Sequence, residues 1–249
     1  MTKLRYRLFS LCLLLCALGS ALCAQTPDDL VNKYVEARGG LQKIKSVTSM
    51  RMTGSMSMGS MEVPITMLMK RPNSVRMEFT VKGTTGIRAF DGTNGWTLMP
   101  FLGTPGPVAL TGSELTDLQD QADIDGALVD YKAKGNKLEL AGREKVDGAD
   151  TYKLKVTRSS GAVEWIYLDA TTYLDIKEDA THTIQGVARQ VETFISDYRD
   201  VDGLKFPFGV RSGVKDAPDQ QQKLTIDKVD LNVPLDPALF HMPAAEESK

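Results

Sequence analysis

Apolar and polar residues alternate along three consecutive segments in the first third of the chain. The apolar residues occupy even positions in the segment 50–58 and odd positions in the segment 61–69. Side chains of a β-strand point alternately to its two faces, so each segment predicts a strand with one apolar and one polar face. Gly59-Ser60 predicts a hairpin turn between them. The segment 75–81 continues the pattern and predicts a third strand.

Methionine is concentrated in this region, because eight of the eleven methionines lie between positions 50 and 96. Methionine forms strands less readily than valine, and its flexible thioether suits irregular or changeable apolar partners. One interpretation is a pocket wall that accepts flexible ligands such as acyl chains. The other, which the spacing alone favours, is an ordinary sheet core. Under the first interpretation, the residues that line the apolar cavity, its floor or its edge are Met50, Met52, Met67, Met69, Met77, Phe79 and Trp96.

The rest of the chain predicts a few helices and many further strands. Thr26-Pro27 predicts the start of a helix that ends at Gly39-Gly40, and a second helix is predicted around 113–121. Turns such as Asp202-Gly203 separate short apolar strands in the second half. An antiparallel sheet of roughly ten strands is too wide to stay flat. The sequence therefore predicts a mainly β (α+β) fold, in which a curled sheet forms an unclosed half-barrel with a helical lid.

The N-terminus has the pattern of a secretory signal peptide. A basic start is followed by an apolar run that is too short to span a bilayer, and by small residues before a cleavage site. We predict a signal peptide over 1–24, a single domain over 25–249, and a periplasmic location. Leu22 before Cys23 disfavours a lipid anchor, because lipoprotein processing requires a small residue there. All three cysteines lie before position 25, so the mature protein is expected to depend on its core rather than on disulfides.

Charge excludes a nucleic-acid-binding surface. Removal of the signal peptide reduces the basic residues from 30 to 27 against 32 acidic ones, which gives a formal charge of −5. Nucleic-acid binding requires clustered basic residues and a high pI. We therefore predict no nucleic-acid partner.

Residues with catalytic or metal-binding spacing are scarce. His182 and His241 have no metal-ligand partner at helical spacing, and no nucleophile motif or phosphate-binding loop occurs. The acidic residues of the later strands are interpreted as solvated surface, namely Glu164, Asp169, Asp175 and Glu178. We predict no catalytic residue, no metal site and no cofactor.

Several short motifs occur in a characteristic order. Arg-Pro-Asn at 71–73 with a following Arg76 precedes Asp-Gly-Thr-Asn-Gly-Trp at 91–96, and related motifs lie at 197–207 and 232–243. Their order resembles that of the outer membrane lipoprotein-sorting family (LolA/LolB-like proteins), over nearly the whole chain after the signal peptide. The resemblance implies an unclosed β-barrel with a helical lid around an apolar cavity that holds lipid acyl chains.

The leading hypothesis is a non-enzymatic periplasmic carrier or binding protein for lipids or lipoproteins. Its ligands would be acyl chains, and its partner an inner- or outer-membrane transport protein. The alternative is a periplasmic sensor that binds a protein partner in envelope-stress signalling, and an enzyme on the same scaffold is a third hypothesis. Arg51 and Arg76 have the parity of the polar face and are expected to point away from the cavity. The motifs at 71–73 and 91–92 are expected to be structural turns.

Overall fold

The computed structural model describes residues 25–59, 61–103, 106–184, 187–217 and 221–244. The strands in these ranges form one antiparallel sheet. They are β1 Ser49–Met58, β2 Met61–Lys70, β3 Ser74–Val81, β4 Thr84–Phe90, β5 Gly95–Leu98, β6 Val108–Ala109, β7 Lys137–Val146, β8 Ala149–Thr157, β9 Val163–Asp169, β10 Asp175–Ile184, β11 Val187–Val201, β12 Leu204–Val214 and β13 Gln222–Leu231. The predicted signal peptide lies outside the described residues.

The sheet is long and unclosed. Its order is β6-β5-β4-β3-β2-β1-β13-β12-β11-β10-β9-β8-β7, so β6 and β7 form its two edges. Neighbouring strands are consecutive in the chain except at the β1–β13 pair, where Met50 lies opposite Leu231. The predicted mainly β fold with a curled antiparallel sheet is confirmed. The described strands number thirteen rather than the predicted ten or so, because short strands such as β6 carry too little alternation to be recognised.

Three α-helices accompany the sheet within the described ranges. They are α1 Pro27–Ala37, α2 Leu41–Ser46 and α3 Gly112–Gln121, and two 3-10 turns occupy Pro100–Leu102 and Pro237–Phe240. Thr26 caps α1 as predicted: its hydroxyl accepts a hydrogen bond from the Asp29 backbone, and the Asp29 carboxylate accepts one in return. The chain then turns at Gly39, whose φ is 118°. A Cβ there would lie 2.3 Å from the Gly203 carbonyl oxygen, so only glycine fits. None of the described helices is long and apolar enough to cross a membrane.

Helix α3 shows how strongly the sheet curls. It contacts β4 and β5 on one side and β10 on the other. Seven strands separate β5 from β10 in the sheet, yet a ten-residue helix is only about 15 Å long. The sheet must therefore bend around α3, which bridges the opening of the half-barrel and acts as its lid.

The hydrophobic core fills one part of the concave face, which is the face that carries Met50 and Phe90. Leu30 and Tyr34 of α1, and Ile44 of α2, pack there in the same buried cluster. Each fully buried side chain of this size contributes about 1.5–3 kcal/mol through the hydrophobic effect. The short helices are therefore held by their apolar faces rather than by intrinsic helix stability.

A buried ion pair fastens α2 and the segment after α3 to the end of β2. The Arg71 guanidinium donates hydrogen bonds to both carboxylate oxygens of Asp125, and its Nε donates to the Val47 carbonyl oxygen at 2.6 Å. A further bond reaches the Ile44 carbonyl oxygen at 3.1 Å. Lys45 also donates to Asp125, at 2.6 Å. The Arg71 motif is thus structural, as predicted, and it joins three segments in addition to making a turn.

Candidate functional site

A cavity of about 840 Å³ lies between α3 and the concave face of the sheet. Its walls come from both halves of the half-barrel, with β2–β5 on one side and β9–β12 on the other. Helix α3 and the segment that follows it form a further wall, and the cavity stays partly open to solvent. The cavity is therefore the part of the space inside the curled sheet that the helices do not fill.

Much of the cavity wall is apolar. One side carries Met67, Val75 and Leu110, and the opposite side carries Ile195 and Val210. The pairing of Met67 with Met77, and of Val210 with Ile195, places these residues on neighbouring strands with their side chains on one face. This part of the wall suits a hydrocarbon chain.

Helix α3 approaches the sheet closely at one point and presents a polar face to the cavity. Leu118 is fully buried, and Leu115 packs over Gly95, where a Cβ would lie 2.7 Å from the Leu115 Cδ1. The inward polar face carries Asp117 and Asp120. The absence of a side chain at Gly95 thus allows α3, which has little apolar surface, to pack closely against the sheet as a lid.

Polar contacts fix α3 on both sides of the opening. On the β4 side, an Arg88 guanidinium nitrogen donates to the Glu114 carbonyl oxygen at 3.1 Å. On the β10 side, the His182 Nδ1 lies 3.4 Å from an Asp117 carboxylate oxygen. His182 also lines the cavity. These contacts hold the lid across the mouth.

An ion-pair cluster lines the β9 side of the cavity. The Arg158 guanidinium lies 3.1 Å from the Glu164 carboxylate and 3.9 Å from that of Asp120. Burial raises the pKa of Glu164 and of Asp120, although the positive charge of Arg158 acts in the opposite direction. One guanidinium therefore faces two carboxyl groups.

Glu178 on β10 is the most perturbed acid of the cavity. Burial, reinforced by the negative charges of Asp175 and Glu164, raises the pKa of Glu178 to about 8. Arg158 and Arg38 oppose this shift without cancelling it. Glu178 therefore holds its proton more strongly than a solvent-exposed glutamate does.

The structure separates the seven residues predicted to line an apolar cavity. Met67 lines the cavity. Met50 and Met69 belong to the buried core beneath α1 and α2, and Met52 and Met77 pack against that core. Alternation correctly placed these five on one face, but it did not reveal which part of the face the helices cover.

The two aromatic residues of that set have different positions. Phe79 is half-buried and pairs with Ile65 and Gly86, two positions along β3 from Met77. Trp96 lies on the convex face: it pairs with Ala89, next to Arg76 in register, and its Nε1 donates to the Phe240 carbonyl oxygen at 2.8 Å. The C-terminal 3-10 turn, and not the cavity, therefore surrounds Trp96.

The interpretation of the later acidic residues as solvated surface is wrong for three of them. Asp175 is buried, and Glu164 and Glu178 line the cavity. A usable signal was present in the sequence, because Glu164 has the same parity as the apolar Ile166 and Leu168 on β9. Side chains two positions apart share a face, so Glu164 had to point inward.

The predicted parity of the two arginines agrees with the structure. Arg51 forms an ion pair with Asp230 at 3.3 Å, and Arg76 lies over the Trp96 ring at 5.8 Å. Neither lines the cavity, whose arginines are Arg88 and Arg158. Within the described ranges, no group of three or more His, Cys, Asp or Glu side chains is arranged to hold a metal ion. The site therefore combines an apolar wall with an acidic, hydrogen-bonding wall, which suits an amphiphilic ligand.

No family model and no curated protein sequence matches the chain. Solved structures do. A LolA superfamily protein from Nitrosomonas europaea is 15% identical with a TM-score of 0.58, and the match covers 88% of this chain and 98% of that one. A DUF1329 family protein from Desulfovibrio piger is 16% identical with a TM-score of 0.59, over 87% and 98% of the two chains.

A third solved structure is similar to this chain. An outer membrane lipoprotein-sorting protein domain from Vibrio parahaemolyticus is 14% identical with a TM-score of 0.54, and the match covers 84% of this chain and 97% of that one. At these identities the likeness establishes the fold. The resemblance inferred from the motifs is thereby confirmed at the level of architecture: the chain has the LolA-like fold of the outer membrane lipoprotein-sorting family.

Proposed function

We propose that this protein is a non-enzymatic periplasmic carrier or binding protein for lipids or lipoproteins. The cavity beneath α3 carries the proposal, because it is a half-open space with an apolar wall in a LolA-like half-barrel. Small-molecule sites typically have volumes of roughly 300–1,000 Å³ and largely apolar linings. The cavity is within that range and would hold one or more acyl chains.

The N-terminal sequence supports the location. A signal peptide over 1–24 would export the chain, and a carrier in the periplasm would exchange its ligand with a transport partner at the inner or outer membrane. N-terminal sequencing of the mature protein is expected to begin at Ala24 or Gln25. A diacylglycerol on Cys23 would contradict a soluble carrier.

Ligand binding is tested with N-phenylnaphthylamine, a neutral probe whose fluorescence rises in apolar surroundings. The wild-type protein is expected to bind it, and lauryl alcohol is expected to displace it. Met67→Asp introduces a charge into the cavity wall and should weaken binding at least tenfold. Met61→Asp is the matched control, because Met61 lies on the same strand but is 43% exposed.

A second variant separates a cavity effect from loss of folding. Ala180 lines the cavity on β10, so Ala180→Phe should fill part of the space without adding a charge. Circular dichroism must show that each variant is folded. If both folded cavity variants bind the probe as the wild type does, the cavity is not the lipid site. If native mass spectrometry of protein from its own cell envelope shows a bound protein and no lipid, the alternative function of a sensor replaces the carrier.

A further inference from the structure

We propose that the cavity selects an amphiphile whose polar end is a primary amine, seated against Glu178 and Glu164 with its hydrocarbon chain along the Met67 side. The inference rests on the proposed function and names the chemical class of its ligand. It is carried by the charges of the cavity wall, by a buried Glu164 carboxylate oxygen without a hydrogen-bond partner, and by the separation of the polar and apolar walls.

Carboxyl groups outnumber the cations that can neutralise them. Three acidic residues on or near the β9 side, Glu164, Glu178 and Asp120, line the cavity together with one guanidinium, that of Arg158. Arg158 already lies 3.1 Å from Glu164 and 3.9 Å from Asp120. This side of the cavity is therefore short of positive charge.

One of these carboxyl groups keeps a buried acceptor atom unused. The Glu164 Oε1 atom is buried and has no hydrogen-bond partner among the described residues, although Arg158 donates to the other carboxylate oxygen at 3.1 Å. Glu178 is half-buried and lines the same cavity. The two residues are adjacent in the sheet, because Glu164 pairs with Ala180, two positions from Glu178 on β10. Buried polar atoms are normally satisfied, so the unpartnered Oε1 atom on this acidic wall indicates a missing donor.

An ammonium group supplies what this wall lacks. It donates three hydrogen bonds and carries a positive charge. Its charge would also favour the ionised form of Glu178, which makes a hydrogen bond to that carboxylate charge-assisted. A fatty-acid carboxylate at the same place would add a negative charge beside Glu164 and would leave the Glu164 Oε1 atom unsatisfied.

The position of the other cavity arginine defines the competing possibility. Arg88 lies across the cavity on β4, its guanidinium donates to the Glu114 carbonyl oxygen, and its Nε has no partner. An anionic head group would bind there rather than at Glu178. A head-group site at Glu178 predicts tighter binding of an amine than of a carboxylate with the same chain length. A head-group site at Arg88 predicts the opposite order.

The test is displacement of N-phenylnaphthylamine by lauryl amine, lauryl alcohol and lauric acid, at neutral pH and below their critical micelle concentrations. The wild type should bind the amine at least tenfold more tightly than the acid. Glu178→Gln keeps the shape of the side chain but removes its capacity to ionise, so it should abolish most of the preference for the amine over the alcohol and the acid. Glu139→Gln on the exposed side of β7 controls for general acidity.

The outcomes are distinguishable. If the alcohol binds but the amine binds no better than the acid, the inferred head group is wrong and the carrier function stands. If none of the three displaces the probe, or the probe does not bind, the proposed function itself fails. A wild type that prefers the acid overturns the inference even if Glu178→Gln does not fold. A preference for the amine that persists in folded Glu178→Gln also overturns it.

Discussion

Replacing Asp125 by asparagine should lower the free energy of unfolding by about 3 kcal/mol, because the change breaks a buried ion pair from one side. The Asp125 side chain is only 3% exposed and accepts hydrogen bonds from Arg71 and Lys45. The Lys45 side chain is 38% exposed, so solvent screens its attraction to Asp125. Arg71 therefore provides most of the stabilisation that the variant loses. Asparagine preserves the size of the side chain, which confines the change to charge and hydrogen bonding.

The magnitude converts directly into a melting temperature. For a domain of this length, 1 kcal/mol corresponds to roughly 2–4 °C, so the variant should melt roughly 6–12 °C below the wild type. Asp150→Asn is the control, because Asp150 pairs with Lys145 at the surface with a 65% exposed side chain. The control should melt close to the wild type. Thermal unfolding followed by circular dichroism measures all three proteins.

The pH dependence of the same pair gives a second measurement. Burial alone would raise the pKa of Asp125, but the hydrogen bonds from Arg71 and Lys45 outweigh it, so the pKa of Asp125 is lowered. A lowered carboxyl pKa stabilises the folded state above the unfolded pKa of about 4 and loses this stabilisation as the pH falls through the folded value. The difference in the free energy of unfolding between the wild type and Asp125→Asn should therefore be constant above about pH 4 and become smaller below it. A variant that melts with the Asp150→Asn control, or a gap that does not depend on pH, would refute the reasoning.

Three further changes test other parts of the structure. Glu178→Gln should have the same free energy of unfolding as the wild type below about pH 4 and a free energy higher by a few kcal/mol above about pH 8. The reason is that Glu178 of the wild type loses its proton at a lower pH in the unfolded chain than in the folded protein, which favours unfolding as the pH rises. Urea unfolding across this pH range measures the difference. Gly92→Val should cost about 1 kcal/mol or more in urea unfolding, because Gly92 has a φ of 102° and a Cβ would lie 3.0 Å from the Asn73 Oδ1. Trp96→Phe should cost about 1–3 kcal/mol in the same assay by orphaning the Phe240 carbonyl, yet leave probe affinity per folded molecule unchanged.

The strands and the fold class were predictable because alternation is a local property of the chain. The predicted β1–β2 hairpin is present, with Met50 opposite Met69 and Met52 opposite Met67. The Asp91 turn also agrees, since its carboxylate accepts hydrogen bonds from the Thr93 and Asn94 backbone amides. These features depend on neighbours within a few residues, so the sequence pattern contains them.

The boundary between core and cavity was not predictable in the same way. Met50 and Met67 are the same residue type on the same face of the sheet, but Met50 belongs to the core cluster that contains residues of α1 and α2, whereas Met67 packs against that cluster and also lines the cavity. Trp96 is predicted to lie at the edge of the cavity or to support it, but its four-residue strand is too short for alternation to show which face carries the side chain. Its actual partner, the Phe240 carbonyl, lies 144 residues away in the chain. Coverage of a sheet face is decided by such distant segments.

The polar inner face of α3 explains why a cavity exists at this end of the sheet. The core end is filled because α1 and α2 present residues such as Leu30 and Ile44. In contrast, α3 has one fully buried residue, Leu118, and turns Asp117 and Asp120 toward the interior. Burying those carboxylates against hydrocarbon would cost several kcal/mol each, so the helix cannot descend to close the space. The polar face of α3 is therefore compatible only with a cavity that holds partly polar groups. This is the physical reason to expect an amphiphile rather than a purely apolar chain beneath the helix.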